Sequence, residues 1–180
     1  MIFTAILHRI FCWRESKTLP PPGRAIDLGG YKVHLWVKGH KAAGKPTIIL
    51  DHSLGGIEGY LLIDRLAELT PVCIYNRPGY GWSEASPQPR CSAQIVRELD
   101  LMLTKAQIEP PYILVGDSFG SYNVRLYAHQ FPEKVRGLIL TDGLHEAGML
   151  NLPWTVVIVK YIFISGFIIS IAGSLSGIIR

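Results

Sequence analysis

The sequence predicts an α/β protein: an N-terminal hairpin followed by a mostly parallel sheet with helices on both faces. Three observations carry this. Short uninterrupted apolar runs recur at Thr47–Leu50, Val72–Tyr75, Tyr112–Val115 and Gly137–Leu140. Runs apolar on both faces suit strands covered by helices on each side. Amphipathic stretches alternate with them at Tyr60–Leu69, Ser92–Ala106 and Phe119–Gln130, and strand–helix alternation is the signature of a parallel sheet. Finally, Gly29-Gly30 separates Ala25–Leu28 from Tyr31–Val37, which reads as a hairpin turn.

The elements divide into three segments. Residues 1–23 are an apolar leader and a linker. Phe3, Ile6, Leu7 and Ile10 fall at helical spacing beside His8 and Arg9. That suits an amphipathic anchor or a frayed tail. The short uncharged run lacks a small-residue cleavage site, so it is a poor signal peptide. Leu19-Pro20-Pro21-Pro22-Gly23 is then a stiff linker that bars helix. Residues 24–146 carry the strand–helix units. Within them Val96, Leu99 and Leu103 align on one helical face, and the stretch ending at Gln130 must close before Pro132. Residues 147–180 hold most of the excess apolar content.

Composition excludes several classes. The net charge of +4 comes without a Lys/Arg block, so nucleic acid is not an expected partner. Cys12, Cys73 and Cys91 are scattered with no C-x-x-C spacing, which suggests neither a zinc site nor a disulfide framework.

Chemistry concentrates at Gly116-Asp117-Ser118-Phe119-Gly120, a G-x-S-x-G motif. It follows an apolar strand and opens a helix, the context a nucleophile elbow requires. Side chains at Gly116 and Gly120 would collide where strand and helix approach. Ser118 is the candidate nucleophile. The backbone N–H of Phe119 is one candidate oxyanion donor, and Leu54, in Asp51-His52-Ser53-Leu54-Gly55-Gly56, is the other. His52 is a weaker candidate for general base, because this loop position more often serves architecture.

From Leu19 to Glu146 the chain resembles the α/β-hydrolase superfamily, in particular its bacterial lipase/esterase-like serine hydrolases, truncated at the C-terminal end. The matching pieces include Leu19–Gly23, Gly29–Tyr31, Tyr75–Ser83 (YNRPGYGWS), Pro110–Gly116, Val124–Ala128 and Leu138–Asp142, in the family's order. The resemblance implies a serine hydrolase acting on small ester-like substrates, with no metal or organic cofactor. It implies that Arg77–Ser83 is scaffold near the site, with Trp82 packing rather than binding. Asp117 stands where this subgroup usually has histidine, and Ser53 and Ser121 stand where it usually has glycine.

The family's chain order is nucleophile, acid, histidine, the last after the final strand. Only His129 and His145 follow Ser118. His129 falls ~16 Å along the nucleophile helix and cannot reach the hydroxyl. Asp142 matches the acid position of some relatives, so Asp142 and His145 are the candidate acid and base. The usual triad histidine is absent from these 180 residues.

Trp154–Arg180 closes the sequence. Tyr161–Ile179 has no charge and is long enough to span a bilayer. Gly166, Ser170, Gly173 and Gly177 share a helical face, a small-residue packing motif. The segment is therefore a membrane helix, with membrane association through 154–179 and self-association expected, or an apolar cap helix over a hydrolase site. Lys160 and Arg180 flank both ends and set no orientation. Two functions remain open: a membrane-associated or cytoplasmic serine esterase, or a non-catalytic chain, either a silent truncated remnant or a membrane-associated interaction protein.

Overall fold

A computed structural model describes residues 6–11, 14, 18, 20–40, 44–56, 58–145, 147 and 154–175. Leu19, Glu146, Gly177 and Arg180, which figure in the sequence reading, lie outside them. Pro22–His145 forms one compact unit, and the remaining described residues form another.

In the larger unit the strands are β1 (Arg24–Asp27), β2 (Lys32–Lys38), β3 (Thr47–Asp51), β4 (Val72–Tyr75), β5 (Tyr112–Asp117) and β6 (Val135–Thr141). The helices are α1 (Glu58–Ala67), α2 (Ser92–Lys105) and α3 (Gly120–Gln130), and a 3₁₀ turn, Pro132–Lys134, leads into β6. One six-stranded sheet runs β1-β2-β4-β3-β5-β6. The β1–β2 and β2–β4 pairs are antiparallel, and β4, β3, β5 and β6 run parallel. This is the expected hairpin plus parallel sheet. At the hairpin Gly29 and Gly30 take φ of +106° and +100°, which glycine reaches without a Cβ penalty. The Asp27 carboxylate accepts both their N–H groups at 2.7 and 3.1 Å, and those bonds hold its pKa below the usual value.

The central strands bury both faces by period-two alternation. Ile49, Cys73, Tyr75 and Leu114 point into a core with Val96, Leu99, Leu103 and Val124 from α2 and α3. Ile48, Leu50, Val72 and Ile74 point the other way, onto Ile63 of α1. Each face thus has its own helical cover, which is why these runs carry no polar alternation.

One buried carboxylate fastens α2 to the hairpin. Glu98 accepts bonds from Arg90 at 2.7 and 2.8 Å, from the Tyr31 hydroxyl at 2.9 Å and from Gln94 at 3.1 Å. Burial alone would raise its pKa, but the bonds from Arg90, Gln94, Ser86 and Tyr31 outweigh burial and hold it below the ordinary 4.5. A depressed carboxylate stabilises the fold above its unfolded pKa and loses that contribution as pH falls through the folded value. We therefore expect the unfolding midpoint in denaturant to drop on acidification below about pH 4.5. In Glu98→Gln part of that drop should vanish. An unchanged pH dependence in the variant would show that Glu98 is not the group responsible.

In the second unit residues 6–11 are helical, in keeping with the spacing of Ile6, Leu7 and Ile10. Helix α4 (Trp154–Leu175) is apolar apart from Lys160 and a few small hydroxyl residues. Its span Trp154–Gly173 has a mean hydropathy of 2.2, long and apolar enough by composition to cross a bilayer. Gly166, Ser170 and Gly173 lie on this helix. Gly177, the second glycine of the packing motif, falls outside the described residues.

Candidate active site

Strands β3 and β5 are hydrogen-bonded neighbours, with Asp51 opposite Gly116. Their C-terminal ends therefore open side by side, where parallel α/β sheets place their ligand crevices. β5 turns into α3 through Ser118, which has φ +47°. A non-glycine residue in the left-handed region is strained and persists only where its surroundings enforce it. The flanking glycines let them do so. A Cβ at Gly116 would lie 2.4 Å from Val124 Cγ2 and 2.8 Å from Ser121 Cα, and one at Gly120 would lie 2.2 Å from the Asp51 carbonyl oxygen. The Ser118 N–H is fixed at 2.9 Å on the Thr141 carbonyl. Ser118 is thus a sharp strand-to-helix turn pressed against both neighbouring strands.

The facing loop is held from beneath by Arg77, which is 1% exposed. Its guanidinium donates to Asp51 Oδ1 at 2.5 Å and to the carbonyls of His52 at 2.6 Å and Ser53 at 2.7 Å. It also lies 4.9 Å from the Tyr80 ring and 5.3 Å from that of Phe119. In a trans peptide the C=O and N–H point in opposite directions. The Ser53 carbonyl turned to Arg77 therefore turns the Leu54 N–H the other way. The fork geometry of guanidinium suits a clamp on several oxygens at once. Beside the pair, burial and the Asp51 carboxylate push the Tyr75 phenol well above its usual pKa, so it stays neutral.

A third segment closes on the elbow. Ser121 Oγ donates to the Ser118 carbonyl at 2.5 Å, and accepts the Leu144 N–H at 2.8 Å. The loop after β6, with Asp142 at φ +48°, is in this way tied to the first turn of α3. His145 follows the tied residue directly. Asp117 takes a bond from Thr141 Oγ1 at 2.7 Å, so its carboxylate is engaged by a hydroxyl. His129 sits at the far end of α3. His52 is 3% exposed, with Nδ1 at 2.6 Å from the Ser53 carbonyl, an architectural placement.

An apolar cavity of about 470 Å³ opens beside the loop, lined by Gly55, Gly56, Tyr60, Tyr80, Gly81 and Trp82. Trp82 packs on its neighbours and borders the cavity. One side meets His34 at 5.0 Å and Tyr60 at 6.0 Å, while the residue stays 48% exposed and lines the cavity. Among the described residues no group of His, Cys, Asp and Glu could hold a metal ion. Sequence reasoning passes over the pairing of Asp51 with Arg77, because only strand order brings together residues 26 apart. Ser121 is visible in the sequence as a serine in a glycine's place, without its clamping role.

A family model described as the alpha/beta hydrolase fold matches residues 46–161. YbdG, an uncharacterized protein of Bacillus subtilis, is 25% identical over 141 residues, covering 76% of this chain and 42% of YbdG. An uncharacterized vacuolar membrane protein of Saccharomyces cerevisiae is 32% identical over 115 residues, covering 59% of this chain and 18% of its own length. The crystal structure of VinJ superposes with a TM-score of 0.59 at 30% identity, over 68% of this chain and 45% of VinJ. The chain thus spans less than half the length of each. Since the family match takes in more than half of the sequence, and strand order and elbow agree with it, the chain belongs to the α/β-hydrolase fold family.

Proposed function

We propose that the protein is a serine hydrolase of carboxylic esters, with Ser118 as nucleophile. The observation that carries this reading is the Ser118 turn, strained at φ +47° and set beside a loop that Arg77 clamps by the carbonyls of His52 and Ser53. Ser118 Oγ attacks the ester carbonyl carbon and loses its proton to a base. The alcohol leaves with that proton, and water then releases the acid from the acyl-enzyme. The N–H groups of Phe119 and Leu54 receive the developing oxyanion. Asp142 and His145, on the loop that Ser121 ties to the elbow, take the parts of acid and base. The uncharged lining of the cavity beside Gly55 and Gly56 suits an acyl or alkyl group. The reading includes membrane association through helix α4, supported by its span and by the likeness to a vacuolar membrane protein.

The test is labelling of the detergent-solubilised chain with a fluorophosphonate, beside Ser118→Ala and His145→Ala. Labelling that disappears in both variants supports the full assignment. Labelling lost only in Ser118→Ala keeps the nucleophile and removes His145 as base. Loss of the histidine alone lowers turnover by about 10⁶ in a well-studied serine protease. A folded parent chain that takes no label would therefore overturn the catalytic reading. It would favour the silent, membrane-associated alternative, which α4 alone would then support.

A further inference from the structure

The loop after β3 separates two cavities. Leu54 and Phe119, the two oxyanion candidates, line one of about 160 Å³, together with Pro78 and with Ile95 of α2. Gly55 and Gly56, the next residues of that loop, line the apolar cavity of about 470 Å³. Tyr80 lines both, so its ring stands between them. The ring is held from two sides, 4.9 Å from the Arg77 guanidinium and 5.5 Å from the His52 ring. Its backbone is fixed as well: the Tyr80 N–H donates to the Arg77 carbonyl, and the Tyr80 carbonyl accepts the Ser83 N–H, both at 2.9 Å. Every one of these residues belongs to the Pro22–His145 unit, so the wall is built from within it. Arg77 and Arg90 also border the small cavity. Arg77 is paired with Asp51, and Arg90 with both oxygens of Glu98 at 2.8 and 2.7 Å. With those charges balanced, the cavity suits an uncharged group.

We propose, resting on the serine esterase reading, that Tyr80 sets the length of the acyl group by walling a compact acyl cavity off from a wider cavity for the alcohol. With the carbonyl oxygen between the N–H groups of Leu54 and Phe119, the carbonyl carbon sits at the rim of the small cavity. The acyl group stays on Ser118 through both steps, whereas the alcohol must leave before water enters. The confined cavity beside both donors suits the group that stays, and the wider one suits the group that goes. An apolar cavity of about 150 Å³ accepts benzene. One of about 160 Å³ therefore takes an acyl group of up to about six carbons. The preferred substrates are then esters of short, uncharged acids with bulkier apolar alcohols, the alcohol lying against Tyr60 and Trp82.

The experiment uses the full chain in non-ionic detergent with the p-nitrophenyl esters of acetate, butyrate and laurate. The readout is the laurate-to-butyrate ratio of kcat/KM in each variant divided by that of the parent, so that partition of the esters into micelles cancels. Tyr80→Ala opens the small cavity into the large one and should raise this ratio about tenfold or more, the scale on which apolar pockets discriminate methylenes. Trp82→Ala enlarges only the alcohol side and should not raise it. Cys91→Leu narrows the small cavity without touching Tyr80. Cys91 borders that cavity and is exposed, so the fold tolerates the change, and butyrate should fall about tenfold relative to acetate. Three results would overturn the proposal and leave the esterase reading standing: the parent's ratio in folded Tyr80→Ala, an equal rise in Trp82→Ala, or the parent's butyrate-to-acetate ratio in Cys91→Leu. Should Tyr80→Ala not fold, the Cys91→Leu result decides. A folded parent chain that hydrolyses none of the esters would overturn the esterase reading and this proposal with it.

Discussion

Arg77→Met should lower the stability of the Pro22–His145 unit by about 3–5 kcal/mol, the cost of removing one partner from a buried ion pair. Asp51 is 0% exposed and Arg77 1%, so water cannot take over the lost contacts. The substitution strands one carboxylate oxygen and removes the guanidinium's bonds to the carbonyls of His52 and Ser53. Replacing both partners with apolar groups is commonly far milder than removing one. Asp51→Leu with Arg77→Met should therefore recover much of the unfolding midpoint. Fluorophosphonate labelling should not recover with it, because the guanidinium that draws the Ser53 carbonyl down and so turns the Leu54 N–H up would be gone. Denaturant midpoints at constant m-value and labelling rates measured on the same samples separate the two effects. If the double variant regains both, Arg77 serves stability alone, and the Leu54 N–H is oriented by something else.

That pair also marks where the sequence stops being legible. Strands, helices and the hairpin follow from local periodicity, and β3, β4 and β5 are readable because burial on both faces leaves an unbroken apolar run. The elbow is readable because its glycines, serine and flanking elements are contiguous. Arg77 is readable only as part of a loop, since the residues it grips lie 24 to 26 positions earlier and meet it only once β4 has docked beside β3. The packing assigned to Trp82 has its partners in His34 and Tyr60, which lie 48 and 22 positions earlier. For Leu138–Leu140 periodicity reports an interior strand, while among the described residues β6 pairs only with β5.

Gly120→Ala sets helix propensity against packing, and packing should win. On an exposed helix alanine is more stable than glycine by about 1 kcal/mol, so propensity alone predicts a gain. Here the added Cβ would meet the Asp51 carbonyl oxygen at 2.2 Å and the His52 carbonyl oxygen at 3.0 Å. Both are backbone atoms, and Asp51 is anchored from the other side by Arg77. No rotamer change relieves such a contact, so either α3 or the loop after β3 must move. Overpacking of this kind costs about 1–3 kcal/mol, and the upper end is expected because both sides are fixed. The displacement separates the Phe119 N–H from the Leu54 N–H, so labelling of Ser118 should fall with stability. Gly30→Ala is the control: φ is +100° but nothing lies within 4 Å of the new Cβ. It should lose about 1 kcal/mol to backbone strain and label at the parent rate. A Gly120→Ala chain as stable as the parent would mean that the start of α3 and the loop after β3 are not tightly apposed in solution, and the oxyanion assignment would fall with that contact.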